Sequence, residues 1–241
     1  MSIVTTERLV QRWEDRRALK NLMGKYVVSF LLKREATMFD TFWSSREDVC
    51  LGENDGWYVG EEGIRAFFDS KDRHTRRVRD LLTELYPEQT KGKTSEELYG
   101  IGILEDRTIT NCVLEIAQDG ATAKGMWCEF GSVTDVSGKG PLSNWVMGYY
   151  AADFVREDGQ WKLWHLRHLR MVDSPCSKNW SATENPYPDL PEFAPLAEET
   201  FAPPTVRAEL AHLYHADRPF EKTPRIPEPY ETFSETFSYG L

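Results

Sequence analysis

From Arg107 to Val172 the chain has a rhythm that few folds accommodate. Four segments, RTITNCVLEIAQDG, ATAKGMWCEFGSVTDV, LSNWVMGYYAADFVREDG and QWKLWHLRHLRMV, follow one another with glycine-containing turns between them. Such segments read as antiparallel strands in hairpin succession. Strands this long curl, so the expected product is one strongly curved sheet rather than a flat one.

The N-terminal residues can pack against such a sheet. Leu9, Trp13, Leu19, Leu22, Met23, Tyr26 and Phe30 recur at helical spacing between Thr5 and about Leu32, with a break expected near Arg16. A short helix is expected from Glu35 to about Trp43. REDVCLGENDGWYVG then reads as a hairpin, with strands near Val49–Leu51 and Trp57–Val59 around an Asn54-Asp55-Gly56 turn. EEGIRAFFDS follows as a helix with Glu61 and Glu62 at the positive end of its dipole. Residues 70 to 104 read as an insertion beside the core, with a helix near Arg76 to Tyr86 and a turn at Pro87.

Charge and motifs exclude several functions. A formal net charge of −10 over 241 residues argues against nucleic acid or an anionic membrane as partner, since both need clustered Lys and Arg. The basic run Lys71-Asp72-Arg73-His74-Thr75-Arg76-Arg77 is diluted by acids and reads as a solvated helix face. The four cysteines, Cys50, Cys112, Cys128 and Cys176, stand singly, and the first residues lack a basic start followed by an apolar stretch. These features lead to the expectation of a cytoplasmic protein with reduced thiols, Cys112 and Cys128 being small core residues. No run approaches the roughly 18 apolar residues of a membrane helix. No GxGxxG, phosphate-binding loop or HExxH occurs, so no cofactor and no metal are expected. HLRH falls on a strand, where residues three apart face opposite ways.

After about Asp173 the composition changes. Residues 174–241 hold most of the prolines, together with Trp180, Tyr187, Phe193, Phe201, Tyr214, Phe220, Tyr230, Phe233, Phe237 and Tyr239. Disordered tails are poor in aromatics. The expectation is therefore a domain over residues 1–173 and an extended arm over 174–241, with one short helix near Thr205 to Tyr214. The arm would pack on the domain or on a neighbouring subunit.

The element order, with GWYVGEEGIRAFF after the first hairpin, QDGATA after Asn111 and YAADFVREDGQWKLWHL at the final strands, resembles the SnoaL-like branch of the NTF2-like superfamily over roughly residues 10–172. The resemblance implies an α+β cone, a bent antiparallel sheet wrapped against N-terminal helices around an apolar pocket. It implies cofactor-free dehydratases, isomerases, cyclases, lyases acting on aromatic dimers, or non-catalytic binders, so fold alone leaves the function open. Two positions depart from the family. Leu31 stands where many such dehydratases have an aspartate, and Arg107 with Thr108 stands where a histidine is common.

In an apolar pocket a few polar groups suffice for proton chemistry. Strict alternation puts Trp161, Leu163, His165, Arg167 and Leu169 on one face of the last strand, and Lys162, Trp164, Leu166, His168 and Arg170 on the other. One histidine therefore points inward, and pocket positions in the superfamily's ketosteroid isomerases favour His168 over His165. Tyr26 can donate to a developing oxyanion, and Arg107 can bind a phenolate, carboxylate or carbonyl oxygen. Glu129 and Asp153 are carboxylates on strands, either pocket acids or solvated. Trp43, Trp57, Tyr58, Trp127, Trp145 and Tyr149, with Glu129, are the expected substrate-binding residues. The expected activity is that of a cofactor-independent lyase, by dehydration or carbon–carbon cleavage such as deformylation, or of an isomerase, on a hydrophobic aromatic, phenolic or polycyclic small molecule. The alternative is a non-catalytic binding or assembly protein. Both faces of the last strand carry apolar residues, so a homo-oligomer, dimer or trimer, is also expected.

Overall fold

The computed structural model describes residues 5–137, 140–177, 201–216, 219 and 224–241. Helix α1 spans Thr6–Leu31, its first turn closed by Thr5, whose hydroxyl accepts from the Arg8 amide. It runs unbroken through Arg16. The residues expected to break it are held to the sheet, Arg16 donating to the Leu114 carbonyl and Asp15 accepting from Trp161 Nε1 and Arg156. A 3-10 turn at Glu35–Thr37 leads into α2, Met38–Phe42.

Strands β1 (Cys50–Glu53) and β2 (Gly56–Val59) form the expected hairpin. Helix α3 then extends from Gly60 to Leu85, so residues 70 to 85 continue it rather than forming a separate insertion; α4, Pro87–Thr90, follows. The basic run is only partly solvated. Its His74 is buried with Nε2 2.6 Å from Asp135, and Lys71 turns toward Glu105.

Four long strands, β3 (Leu104–Ile116), β4 (Thr122–Ser137), β5 (Gly140–Glu157) and β6 (Gln160–Pro175), form the antiparallel ladder. With β7, Val206–Arg207, the sheet order is β3-β4-β5-β6-β1-β2-β7, and β1 lies parallel to β6. Leu19, Met23, Tyr26, Val27 and Phe30 of α1 pack onto its concave face with Trp127, Tyr150, Phe154, Leu163 and Leu166.

The face assignment of β6 departs from strict alternation. Leu163 pairs with Phe154 and His165 with Asp153, so Trp164 is an extra residue opposite the partner strand. A bulge of this kind inverts the in–out pattern that precedes it. Trp161, Leu163, Leu166, His168 and Arg170 consequently share the concave side, and His165 and Arg167 the convex one. Cys128 is exposed and Cys112 half-buried, which corrects their reading as core residues: Cys128 pairs with Tyr149 on the convex face.

Residues 205–214 form no helix. Behind Pro203 and Pro204 they run along the first hairpin, Ala208 and Leu210 donating to the carbonyls of Asp55 and Asn54. Residues 224–241 lie across the convex face. Tyr239 donates its amide to Asp153 at 2.7 Å, its carbonyl accepts from Arg167, and Phe233 packs on Trp164. Beneath them Lys124 and Asp153, both fully buried, pair at 2.5 Å, and His165 Nδ1 lies 2.8 Å from Asp153. The Lys124 ammonium stands 4.5 Å from the ring centre of Phe233 and 4.6 Å from that of Phe237. The expected arm over 178–200, with Trp180, Tyr187 and Phe193, lies outside the described residues.

A buried pair is costly to break on one side and cheap to replace on both. Lys124→Met, which leaves the Asp153 carboxylate without its ammonium, is expected to lower stability by about 3–5 kcal/mol in urea unfolding. Lys124→Met with Asp153→Leu should lose less than that single change. A larger loss in the double variant would contradict the pairing.

Candidate active site

The polar groups of the concave face come from nearly every strand. Glu53 ends β1, Arg107 lies on β3, Glu129 on β4, Tyr150 on β5, and His168 and Arg170 on β6. Register brings them together: Tyr150 is the cross-strand partner of both Trp127 and His168, and Gly148 stands between Glu129 and Arg170. With no side chain of its own, Gly148 leaves room for those two long ones.

His168 is the centre of the group. Its Nδ1 lies 3.1 Å from Glu53 Oε1 and its Nε2 2.9 Å from Glu129 Oε2. Its ring stacks on Tyr150 at 4.4 Å between centroids and 11° between planes. Arg107 Nη1 donates to Glu129 Oε1 at 3.1 Å and to the Tyr150 hydroxyl at 3.2 Å, while the Tyr150 hydroxyl donates to Glu129 Oε1 at 3.3 Å. Tyr26 meets Tyr150 edge to face at 6.5 Å. His168, Arg107, Glu129 and Tyr26 are all less than a tenth exposed.

Burial pulls the His168 imidazole toward neutrality, but Glu129 and Glu53 outweigh it and raise its pKa. With a carboxylate on each ring nitrogen, both nitrogens carry protons. Arg107 Nη1, 3.0 Å from His168 Nε2, is therefore a second donor to Glu129 and not a donor to the ring. Burial pushes the Glu129 carboxyl up, yet His168 and Arg107 hold it well below the usual range; Glu53 is likewise lowered, chiefly by His168 against burial. Burial raises both phenols, Tyr150 and Tyr26, so each is a neutral hydroxyl near pH 7. Arg107 stays a cation despite burial, held by Tyr150, Glu105 and Glu129. The site thus combines a cationic acid, two carboxylates able to accept protons, and donors for a developing oxyanion.

Of the residues singled out in the sequence, Tyr26, Arg107, Glu129 and His168 converge. Trp127, Tyr58 and Trp43 share the concave core with them, the Tyr58 hydroxyl donating to the Ala202 carbonyl. His165 and Asp153 lie on the other face with Lys124. Trp57, Trp145 and Tyr149 are on that convex side too: Trp57 lies under the Arg167 guanidinium, Trp145 stacks on Phe130, and Tyr149 packs with Leu169 and Ala211. The period-two register excludes these three from the cluster. Sequence reasoning missed Glu53, Tyr150, Lys71, Glu105 and Arg170. Parity was the available signal for Tyr150, because two residues beyond it Ala152 pairs with Leu166 on the same face.

Among the described residues no group of three His, Cys, Asp or Glu is placed to hold a metal ion, and no helix is long and apolar enough to cross a membrane. A surface cleft of about 540 Å³ lies elsewhere, between Asn54 and Asp55 and residues 207–213, and none of the cluster lines it.

Comparison with known proteins places this arrangement. A Mycobacterium tuberculosis protein of unknown function is 15% identical, covering 85% of this chain and 99% of its own, with a TM-score of 0.49. An NTF2-like protein with a cystatin-like fold from Novosphingobium aromaticivorans is 15% identical over 70% of this chain and 92% of its own, TM-score 0.45. A hexachlorocyclohexane dehydrochlorinase from Novosphingobium barchaimii is 16% identical over 70% and 95%, TM-score 0.45. No curated protein matches the sequence significantly. The SnoaL-like domain family matches residues 11–167, well over half of the chain, and the protein belongs to that family, with its NTF2-like fold of N-terminal helices against a curled antiparallel sheet.

Proposed function

We propose that this protein is a cofactor-independent lyase, acting by dehydration or carbon–carbon cleavage, or an isomerase, on a hydrophobic aromatic or phenolic small molecule. The observation that carries the reading is His168, buried and protonated between Glu53 and Glu129, with Arg107 and two neutral phenols beside it. In a dehydration, Arg107 and a tyrosine hydroxyl hold the carbonyl or phenolic oxygen and stabilise the charge that collects there. His168 gives its proton to the departing hydroxyl, which leaves as water. A carboxylate, Glu53 or Glu129, takes the proton lost from carbon and returns it to the neutral imidazole. The cycle closes without an external electron acceptor. A para-hydroxyaryl substrate suits it, because a quinone-methide-like form can hold the electron pair while water or formaldehyde departs.

Non-catalytic binding is the second reading, favoured by Leu31, a half-exposed apolar residue at the position of the aspartate that the resemblance leads one to expect. Self-association belongs to either reading: Phe130 is 48% exposed on the convex face, stacked on Trp145. Free cysteines fit a cytoplasmic location.

Incubation with β-hydroxy aryl ketones and para-hydroxyaryl carbinols, read by mass spectrometry for loss of water or formaldehyde, tests the lyase reading. His168→Gln, Arg107→Met and Tyr26→Phe should each lower kcat, the first by about 10²–10⁴, while His165→Gln keeps it. Full turnover in all three site variants would discard the assignment.

A pH series gives an independent check. The folded-state pKa of His168 is raised above the ordinary 6.5, so its stabilising charge is fully present below pH 6.5 and is lost as pH rises through the folded value. Unfolding free energy and kcat should both fall on that alkaline side, and His168→Gln should flatten this part of the stability profile. An unchanged profile in the variant would contradict a protonated His168.

A further inference from the structure

Glu105 is surrounded by three cations and held closely by none of them. Lys71 Nζ stands 3.4 Å and Lys33 Nζ 3.8 Å from its Oε1, and Arg107 Nη2 stands 3.6 Å from its Oε2. Elsewhere on the same sheet buried ion pairs close to 2.5 and 3.1 Å. Glu105 Oε2, Arg107 Nε and Glu35 Oε2 are buried with no hydrogen-bond partner. Native interiors rarely leave such atoms unpaired, and here three lie in one region, around side chains that are between 1% and 16% exposed.

The charges are unequal as well. Burial outweighs Lys33 and raises the Glu35 carboxyl toward its neutral form. With Glu35 neutral, the cations Lys33, Lys71, Arg107, His168 and Arg170 face the carboxylates Glu53, Glu105, Glu129 and Asp173, one fewer. An uncompensated positive charge in a region of low dielectric calls for an anion. The surroundings say what kind. The Lys71 ammonium lies 5.4 Å from the Phe30 ring centre, 5.6 Å from that of Phe67 and 6.0 Å from that of Phe201, so flat apolar walls flank the cation.

We propose that this end of the cluster seats the anionic oxygen of an aryl substrate, a carboxylate or a phenolate, among Lys33, Lys71 and Arg107, with the ring against Phe30 and Phe67. The inference rests on the reading of His168 as the reacting centre and adds the substrate's charge and orientation to it. Arg107 fixes the spacing: its Nη1 is 3.0 Å from His168 Nε2 and its Nη2 is turned to Glu105. The bond that breaks then lies about one guanidinium width from the anionic end. Arg107 offers a fork suited to either oxygen anion, and Lys71 a point charge.

Calorimetric titration of the full chain with benzoate, 4-nitrophenolate and their neutral counterparts benzamide and nitrobenzene tests the proposal without requiring turnover. At least one anion should bind about tenfold or more tightly than its neutral counterpart, and which one does so names the source of the negative oxygen. Lys71→Met should abolish that preference while Lys71→Arg retains it, with melting temperatures recorded for both. Equal affinity for anion and neutral probe, absence of binding by both anions, or an undiminished preference in folded Lys71→Met would overturn the proposal. Should Lys71→Met fail to fold, Lys33→Met serves with the same two outcomes. Retained anion preference in His168→Gln, alongside a failure to find any elimination, would overturn the lyase reading alone.

Discussion

A buried imidazolium is tolerable only if carboxylates meet both of its nitrogens, and that requirement links the strands of this sheet. His168 on β6 takes one carboxylate from β1 and one from β4, stacks on a tyrosine of β5, and shares Glu129 with an arginine of β3. The parallel pairing of β1 with β6 is what delivers Glu53. Gly52 pairs with Arg167, so the next residue along β1 comes up beside His168. Removing one partner of such a set leaves a bare charge in a poorly polarisable interior, which costs far more than the pair contributes by being present. The cluster therefore selects one register and one curvature, whether or not it adds net stability.

Strand β6 carries a second charged network on its other side, and the two divide the work. On the concave face the charges meet aromatic core and reach solvent past Lys71 and Glu105. On the convex face Lys124, Asp153 and His165 are sealed under Phe233, Phe237 and Tyr239. Arg167, between the two histidines in sequence, donates to the Tyr239 carbonyl at 2.7 Å, so the back of the strand is fixed by residues 224–241 while its front presents His168. The Trp164 bulge lies next to this division. It lets Trp161 and Leu163 fill the same concave core as Leu166 and His168, where regular pleating would have turned them out.

The ladder, the Asn54-Asp55-Gly56 hairpin and the packing helix were legible in the sequence because each rests on local periodicity or turn chemistry. The convergence of Tyr26, Arg107, Glu129 and His168 was legible residue by residue, as polar groups in apolar surroundings. What local pattern does not encode is which positions share a face once a bulge intervenes, and that is why Trp57, Trp145 and Tyr149 were grouped with a pocket they turn away from. Glu53 and Glu105 were hidden for a related reason. Both lie in stretches that read as polar turn or strand edge, and only the parallel β1–β6 pairing and the approach of α3 turn them into buried carboxylates. The break expected at Arg16 failed differently, because its neighbourhood is anchored by sheet carbonyls more than 90 residues away in the chain.

At rest the carboxylates beside His168 are poor bases, since the same cations that keep them ionised also depress their proton affinity. An anion arriving at Arg107 and Lys71 changes that balance. Negative charge placed against the guanidinium weakens its hold on Glu129, raising the carboxylate's proton affinity, and it raises that of His168 as well. Acid and base would both move in the direction that elimination requires, His168 remaining protonated while a carboxylate gains the ability to accept. A substrate without the anion would meet the same groups in their resting state, well positioned and weakly basic. Selectivity for a charged aryl substrate would then reside in the chemical step as much as in binding, as expected when interactions strengthen on the way to the transition state.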